Sequence, residues 1–270
     1  MRRFGTAILA MLLAAAGMGS ARAEMVQGLY RAETIVTGTG RPERLRGFRI
    51  TLTEVLVRRS GDPSLFTSPA IEPYLDHAAD LVRDIEYEDR MKHLPIHDEQ
   101  GTRDRPHFLR VAYDPEKIDA ILEKLGVKPW DPDRPLVAVW LGIKDARSEY
   151  VMPADGDDGY SQRAALLQAA RQRGVPVALP AMDPADREIV DYAAVVGNSA
   201  GRLDQASARY LADAVLSGSL TYDPRGWWKV DWVLSPPQGA QRRWSLDQVT
   251  FDTAFRDAFD HVARILTGRE

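Results

Sequence analysis

The chain of 270 residues contains no cysteine. That absence excludes a thiol nucleophile, a thiolate zinc or iron–sulfur centre, a disulfide framework and a lipid-bearing cysteine at a processed N-terminus. Beyond the N-terminal segment no apolar run approaches the roughly 20 residues a spanning helix needs. The longest, 136–143, suits a buried strand. No phosphate loop ending in Lys-Ser or Lys-Thr occurs, and Gly38-Thr39-Gly40 opens a dinucleotide fingerprint only to place Glu43 where the third glycine belongs. A basic excess is also missing: 35 Lys and Arg face 39 Asp and Glu, which argues against binding nucleic acid or an anionic membrane. What is present is ordinary globular material, 44% hydrophobic and 27% charged, long enough for one large core or two small ones without covalent staples.

Segment 1–23 has the form of a secretory signal: Arg2 and Arg3, a short apolar stretch over 7–19, and the A-x-A site Ala21-Arg22-Ala23. The apolar stretch is too short for a membrane anchor, so the expectation is cleavage, with Glu24 as the mature N-terminus. Removing Arg2, Arg3 and Arg22 leaves 32 basic against 39 acidic residues, a net charge of −7. The expected location is the periplasm, an oxidising space where a cysteine-free chain avoids stray disulfides.

The remainder alternates strand and helix signals. A strand over 29–37 ends at Gly38-Thr39-Gly40. A helix follows, with Pro42 in its first turn and Leu45, Phe48, Leu52, Val55 and Leu56 at helical spacing, stopped by Ser60-Gly61-Asp62-Pro63. A second helix is expected over 71–83, a short extended piece over 85–87, a half-buried strand over 107–113, and a helix opened by Asp114-Pro115 and closed by Gly126. Three prolines within 128–135 mark a stiff connection. Beyond it the pattern gives strands over 136–143 and 175–179, a helix over 160–173 stopped by Gly174, and a helical stretch over 199–211. Strands over 214–220, 227–234 and 242–245 follow. The last helix carries Phe251, Phe255, Phe259, Val262 and Leu266 as its apolar stripe, with Asp247 as its expected N-cap. The fold class is α+β: a cleaved signal peptide (1–23), then two small mixed α/β subdomains (24–130 and 131–270) with helices packed on mixed sheets.

Certain residues carry a family resemblance. They are Tyr30, the run Leu56-Val57-Arg58-Arg59-Ser60-Gly61, Leu109-Arg110-Val111 with Asp114-Pro115, Pro129-Trp130, Val139-Trp140-Leu141, Ala214-Val215-Leu216 and Trp227-Trp228. On these the chain resembles an exported bacterial family known as domain of unknown function 2066. The resemblance implies an envelope protein, and its motifs are packing and turn features. The segment 89–106 is longer and more charged than the family's core pattern.

Four features are candidates for chemistry or binding. Gly197-Asn198-Ser199-Ala200-Gly201 has the G-x-S-x-G form of a nucleophile elbow after the apolar run 193–196, and Asp231 or Asp247 with His261 would complete a triad in chain order. His261 falls inside a helix and no glycine-rich oxyanion segment precedes the motif, so Ser199 reads better as a helix N-cap. His93, His97 and His107 stand near Asp89, Asp98, Glu99 and Asp104, but Pro95 breaks the helical spacing of the first two and no metal-ligand rule is met. Asp155, Asp157 and Asp158 likewise miss the calcium-loop pattern. The segment 89–106 reads as a long surface loop whose His93, His97, Arg103, Asp104 and Arg105 would engage a partner, the arginines gripping carboxylates or phosphates. Trp227, Trp228 and Trp232 lie on one strand, 228 and 232 on the same face, and an indole left exposed would anchor protein or glycan. The expectation is a non-enzymatic accessory or adaptor in envelope assembly, without cofactor or metal, meeting an envelope protein partner, its oligomeric state left open. The alternatives are a serine hydrolase using Ser199 and a glycan or small-molecule binding module.

Overall fold

In the computed structural model, which describes residues 28–93 and 104–269, the chain forms a mixed α/β fold with two sheets and several helices. It divides into two units, 1–60 with 64–132, and 61–63 with 133–270.

The first unit begins with strand β1 (Arg31–Thr37), which turns Ala32 and Val36 inward and leaves Glu33 and Ile35 outside. Helix α1 (Arg41–Ser60) buries Phe48, Leu52, Val55 and Leu56, each worth about 1.5–3 kcal/mol of transfer free energy. Leu45, in the turn before this packed stretch, is exposed instead. Gly47 lets the helix lie directly on the sheet, since a Cβ there would stand 2.5 Å from Leu109 Cδ2 and 3.0 Å from Val36 Cγ1.

The helix expected over 71–83 is broken. After a 3-10 turn over Pro63–Thr67, a second one ending at Ile71 (Pro69–Ile71), the single helical turn α2 (Glu72–Asp76), a third 3-10 turn (Ala78–Leu81) and the start of a strand replace it. Ile71, Leu75 and Ala78 still point into the core, so the periodicity was real. Sheet pairing overrides its continuation, because strand β2 (Val82–Asp89) supplies backbone partners to β3 (Pro106–Tyr113) and takes in far more than the piece expected over 85–87. Helix α3 (Pro115–Lys124) follows, its N-terminus capped by the Asp114 carboxylate, which accepts from the N–H groups of Glu116 and Lys117.

The strand order is β1-β3-β2 and every pairing is antiparallel. The expectation of a mixed sheet fails here, because β1 and β2, though parallel to one another, are separated by β3 in a split β-α-β arrangement. The core lies between this sheet and α1 with α3. In it the Tyr113 hydroxyl donates to the Phe48 carbonyl at 2.8 Å and lies 2.8 Å from Thr51 Oγ1, and burial pushes its pKa well above the usual tyrosine range.

The second unit holds β4 (Val137–Lys144), β5 (Glu149–Val151), α4 (Tyr160–Arg173), β6 (Val177–Ala178), α5 (Pro184–Ile189), α6 (Tyr192–Val196) and α7 (Ala200–Ser207). The chain then runs through β7 (Ala214–Asp223), β8 (Trp227–Ser235), β9 (Arg242–Val249) and α8 (Phe251–Leu266). The sheet order is β5-β4-β7-β8-β9 with β6 paired to β4; the β4 pairings with β6 and β7 are parallel and the rest antiparallel. Helix α4 stops at Gly174, whose φ of 67° forms a left-handed cap. The strand expected over 175–179 shrinks to two residues.

The N-cap of α8 is Thr250, not Asp247: β9 continues through Val249, so the helix cannot start earlier, and the Thr250 hydroxyl accepts from Thr253 N–H. Trp140 and Ala138 on one sheet face pack with Val190, Ala194, Leu203 and Ala206 of the α5–α7 region. Trp228 and Trp232 on the other face meet Phe251 and Phe255 of α8. Among the described residues no helix is long and apolar enough to cross a membrane.

Candidate functional site

The segment 89–106 springs from the paired ends of β2 and β3. Arg90 N–H donates to the Pro106 carbonyl at 3.1 Å. Arg105, read from the sequence as a partner-gripping side chain, is turned inward: its Nη1 pairs with Asp89 Oδ2 at 2.8 Å and its Nη2 donates to the Met91 carbonyl. Its own carbonyl accepts from Gly38 N–H at 2.8 Å and from His107 Nδ1 at 2.7 Å. Gly38 has a φ of 83°, and a Cβ there would meet Asp104 Oδ1 at 2.9 Å, so Asp104 is seated against the turn that links β1 to α1. Arg105 and Asp104 therefore stitch the root of the segment to two neighbouring turns. His93 lies in the turn after β2, whereas His97 and Arg103 fall outside the described residues. Among the described residues no group of three or more His, Asp or Glu is placed to hold a metal ion.

Next to this root the outer face of the sheet carries an arrangement that the sequence reading missed. Arg110, at the centre of β3, reaches both neighbouring strands: Nε donates to Glu33 Oε2 of β1 at 2.7 Å, Nη2 to Glu88 Oε2 of β2 at 2.7 Å, and Nη1 to Glu86 Oε1 at 3.3 Å. These contacts lower the Glu88 pKa, Arg110 first and then Lys92, and raise that of Arg110. Phe108 lies on the same face, with the Arg90 guanidinium 4.9 Å and the Arg110 guanidinium 6.0 Å from its ring centre. Its cross-strand neighbour on β1 is Ile35, 43% exposed. The helices of this unit cover the opposite, inner face. The signal was available in period-2 form: Phe108 and Arg110 alternate with buried Leu109 and Val111, and Glu86 and Glu88 share that spacing. Which strands would stand beside β3 was not readable.

Elsewhere in the first unit the Asp119 carboxylate accepts from the Tyr30 hydroxyl at 3.0 Å and from Arg59 Nε at 2.9 Å, while Arg59 Nη1 donates to the Trp130 carbonyl. This knot ties β1, α1 and α3 to the first residues of the proline-rich stretch. Tyr30 and Trp130, which helped carry the family resemblance, thus serve packing.

In the second unit the G-x-S-x-G segment does not form an elbow. The apolar run 193–196 that precedes the motif, where an elbow would need a strand, is the helix α6, capped by the Asp191 carboxylate that accepts from Ala194 N–H at 2.7 Å. A four-residue apolar run does not by itself choose between strand and helix, and the Asp cap with two alanines favours the latter here. Ser199 occupies the N-cap position of α7, yet its side chain makes no capping bond. The sheet separates it from His261: the α5–α7 region lies on the Trp140 face, and α8, which carries His261, on the Trp232 face. Of the three tryptophans on β8, Trp232 is buried, Trp228 is partly buried against Tyr222 and Phe251, and Trp227 is 45% exposed. The acidic loop beside Asp155, Asp157 and Asp158 turns its backbone inward, the carbonyls of Pro153, Gly156 and Asp158 all accepting from Arg163.

His261 has a different role. Its ring stacks on Trp244 at 4.9 Å and 17°, and its Nδ1 donates to the Asp257 carbonyl at 3.1 Å with Asp257 Oδ2 at 3.4 Å. The hydrogen bond to Asp257 raises its pKa, against opposition from burial and Arg264. Because the folded value exceeds the unfolded one of about 6.5, the charged form stabilises the fold fully below pH ~6.5. That contribution disappears as pH rises through the folded value. An NMR titration of His261 should give a midpoint above the unfolded value of about 6.5, returned toward it by Asp257→Asn; a midpoint at or below that value in the parent would contradict the contact.

No curated protein matches the chain. A family match corrects the resemblance to domain of unknown function 2066, which rested on core, cap and turn residues that many α+β units share, and which was drawn over most of the chain beyond residue 23. Residues 23–131, corresponding closely to the first unit and its candidate face, are similar to a different family, described as Domain of unknown function (DUF8605).

Proposed function

We propose that the protein is an exported, non-enzymatic adaptor of the bacterial envelope, which meets a protein partner through the outer face of the three-stranded sheet and the charged segment 89–106 at its root. Export rests on the signal-like segment 1–23, whose removal would leave two α+β subdomains in the periplasm. The observation that carries the docking reading is the Arg110 cluster. One guanidinium holds carboxylates from both flanking strands and borders Phe108, so a mixed polar and apolar surface stands preorganised beside exposed Ile35. Interfaces favour arginine and aromatic anchors of this kind, and a preformed surface loses less entropy on binding.

Site-specific photocrosslinking in the native envelope tests the reading. A crosslinker at position 35 should capture one dominant partner, while the same group at position 211, a highly exposed site in the second unit, should not. Equal capture from both positions, or none from 35, would overturn it.

A further inference from the structure

The outer strand of the first sheet adds a mode of recognition. Among the described residues β2 pairs only with β3, and its other edge is unpaired. Along β2, Asp84, Glu86 and Glu88 stand opposite Ala112, Arg110 and Phe108, so the three carboxylates share the outer face at two-residue intervals. That spacing is about 6.5–7 Å between successive acids. Arg110 engages Glu86 and Glu88 from the β3 side, and Lys92 donates to Glu88 at 3.0 Å. The intervening Ile85, on the other face, is 36% exposed. An open edge with backbone donors and acceptors in register is a template for an added strand.

The charges select what can be added. A second copy pairing antiparallel through β2 keeps the outer faces together and sets the acids at 84, 86 and 88 against one another, and directly opposed like charges are destabilising; parallel pairing through the same edge would instead turn its outer face to the opposite side of the sheet. The pattern complements a strand with basic residues at alternate positions and apolar residues between them, which would rest beside Ile85. We propose that β2 accepts by strand addition an extended partner segment alternating Lys or Arg with apolar residues. This deepens the adaptor reading and rests on it for the biological partner.

The full-length protein is to be titrated with a labelled decapeptide alternating Lys and Val, with its Glu–Val counterpart, and with a Lys–Val peptide N-methylated at every second residue. Binding of the first alone, weakened by salt and accompanied by hydrogen-exchange protection of amides within 83–88, is the expected result. Asp84→Lys, on an exposed position opposite Ala112 and outside the Arg110 cluster, should weaken it about fivefold without lowering the melting temperature. Glu33→Lys on β1 should change it less than about twofold, because that residue lies on the far edge strand. Equal binding of the Glu–Val peptide, equal loss in Glu33→Lys, protection confined to other residues, or a β2-dependent dimer would each overturn strand addition. The two readings separate in the envelope: if position 35 still captures its partner in the Asp84→Lys variant, the adaptor stands and strand addition at β2 falls. If the parent captures nothing, the adaptor reading falls, and strand addition is judged on the peptide titration.

Discussion

Trp232→Ala is expected to lower the stability of the second unit by about 3–5 kcal/mol. The indole is 1% exposed and stands directly opposite Gly218 of the neighbouring strand, where a Cβ would come within 2.3 Å of Cζ3 and 2.5 Å of Cε3. Phe255 of α8 closes over the same ring, with centroids 6.3 Å apart. Removing the ring leaves a void in the middle of a five-strand path with a helix above it, a site poorly able to collapse. The cost is moderated because the indole N–H is buried without a partner, and that desolvation is relieved when the ring is removed.

Gly218 makes the argument testable from the other side. Gly218→Ala forces a methyl into the ring and should cost about 1–3 kcal/mol or more in the parent. In the Trp232→Ala background the same methyl enters vacated space, so the two changes should couple strongly in a double-mutant cycle measured by urea denaturation. Additive effects would mean that the glycine is there for some reason other than the indole.

Asp186→Ala is expected to cost about 2–3 kcal/mol. Its carboxylate is fully buried and accepts from the Tyr210 hydroxyl at 2.5 Å, from Met182 N–H at 2.9 Å and from Arg209 Nη1 at 3.0 Å. Met182 lies in the left-handed region with φ of 51°, a strained conformation for a residue with a side chain, and the Asp186 carboxylate holds its N–H. Truncation leaves the tyrosine hydroxyl and this N–H without their acceptor. Arg209 is not stranded, since it is partly exposed and retains Asp183 through contacts of 2.7 and 2.8 Å. That is why the expected loss falls below the 3–5 kcal/mol typical of a broken, fully buried ion pair. Asp183→Ala provides the contrast. It removes an N-cap and an exposed pair and should cost about 1 kcal/mol, the ordinary worth of a cap. Thermal unfolding of the two variants side by side checks the order, and a larger loss in Asp183→Ala would contradict the assignment of Asp186 as the structural carboxylate.

These sites divide along the line between local and non-local information. The long helices were legible because both their periodicity and their stops are local: Ser60-Gly61 ends α1, Gly174 ends α4, and Asp114-Pro115 opens α3. The alternation in β3 was equally plain, that of a half-buried strand, and the structure turns Leu109 and Val111 inside and Phe108 and Arg110 outside.

The errors occurred where a local preference is weak or where pairing overrules it. Helix α6 went unread, because residues 193–196 are too few for periodicity to choose between strand and helix. The helix expected over 71–83 ends early because β2 is needed beside β3, and α8 begins at Phe251 because β9 holds its residues through Val249. The candidate site depends on this kind of information throughout. Glu33, Glu86 and Glu88 stand 77, 24 and 22 residues before Arg110 in the chain, and nothing local indicates that they flank it.

By itself the sequence determined the α/β character of the chain, the bounds of its helices α1, α3 and α4, and the thiol and thiolate chemistries that a cysteine-free chain excludes. Only the tertiary structure decided the order β1-β3-β2, the gathering of three glutamates around Arg110, the inward turn of Arg105, the partition of Ser199 and His261 to opposite sheet faces, and the fit of Trp232 over Gly218. The physical reason is common to all of these. Caps, stops and periodicity act over a few residues and leave a mark at each position. Strand neighbours and the contacts across them are chosen by the free energy of the whole packed unit, which no short window of residues encodes.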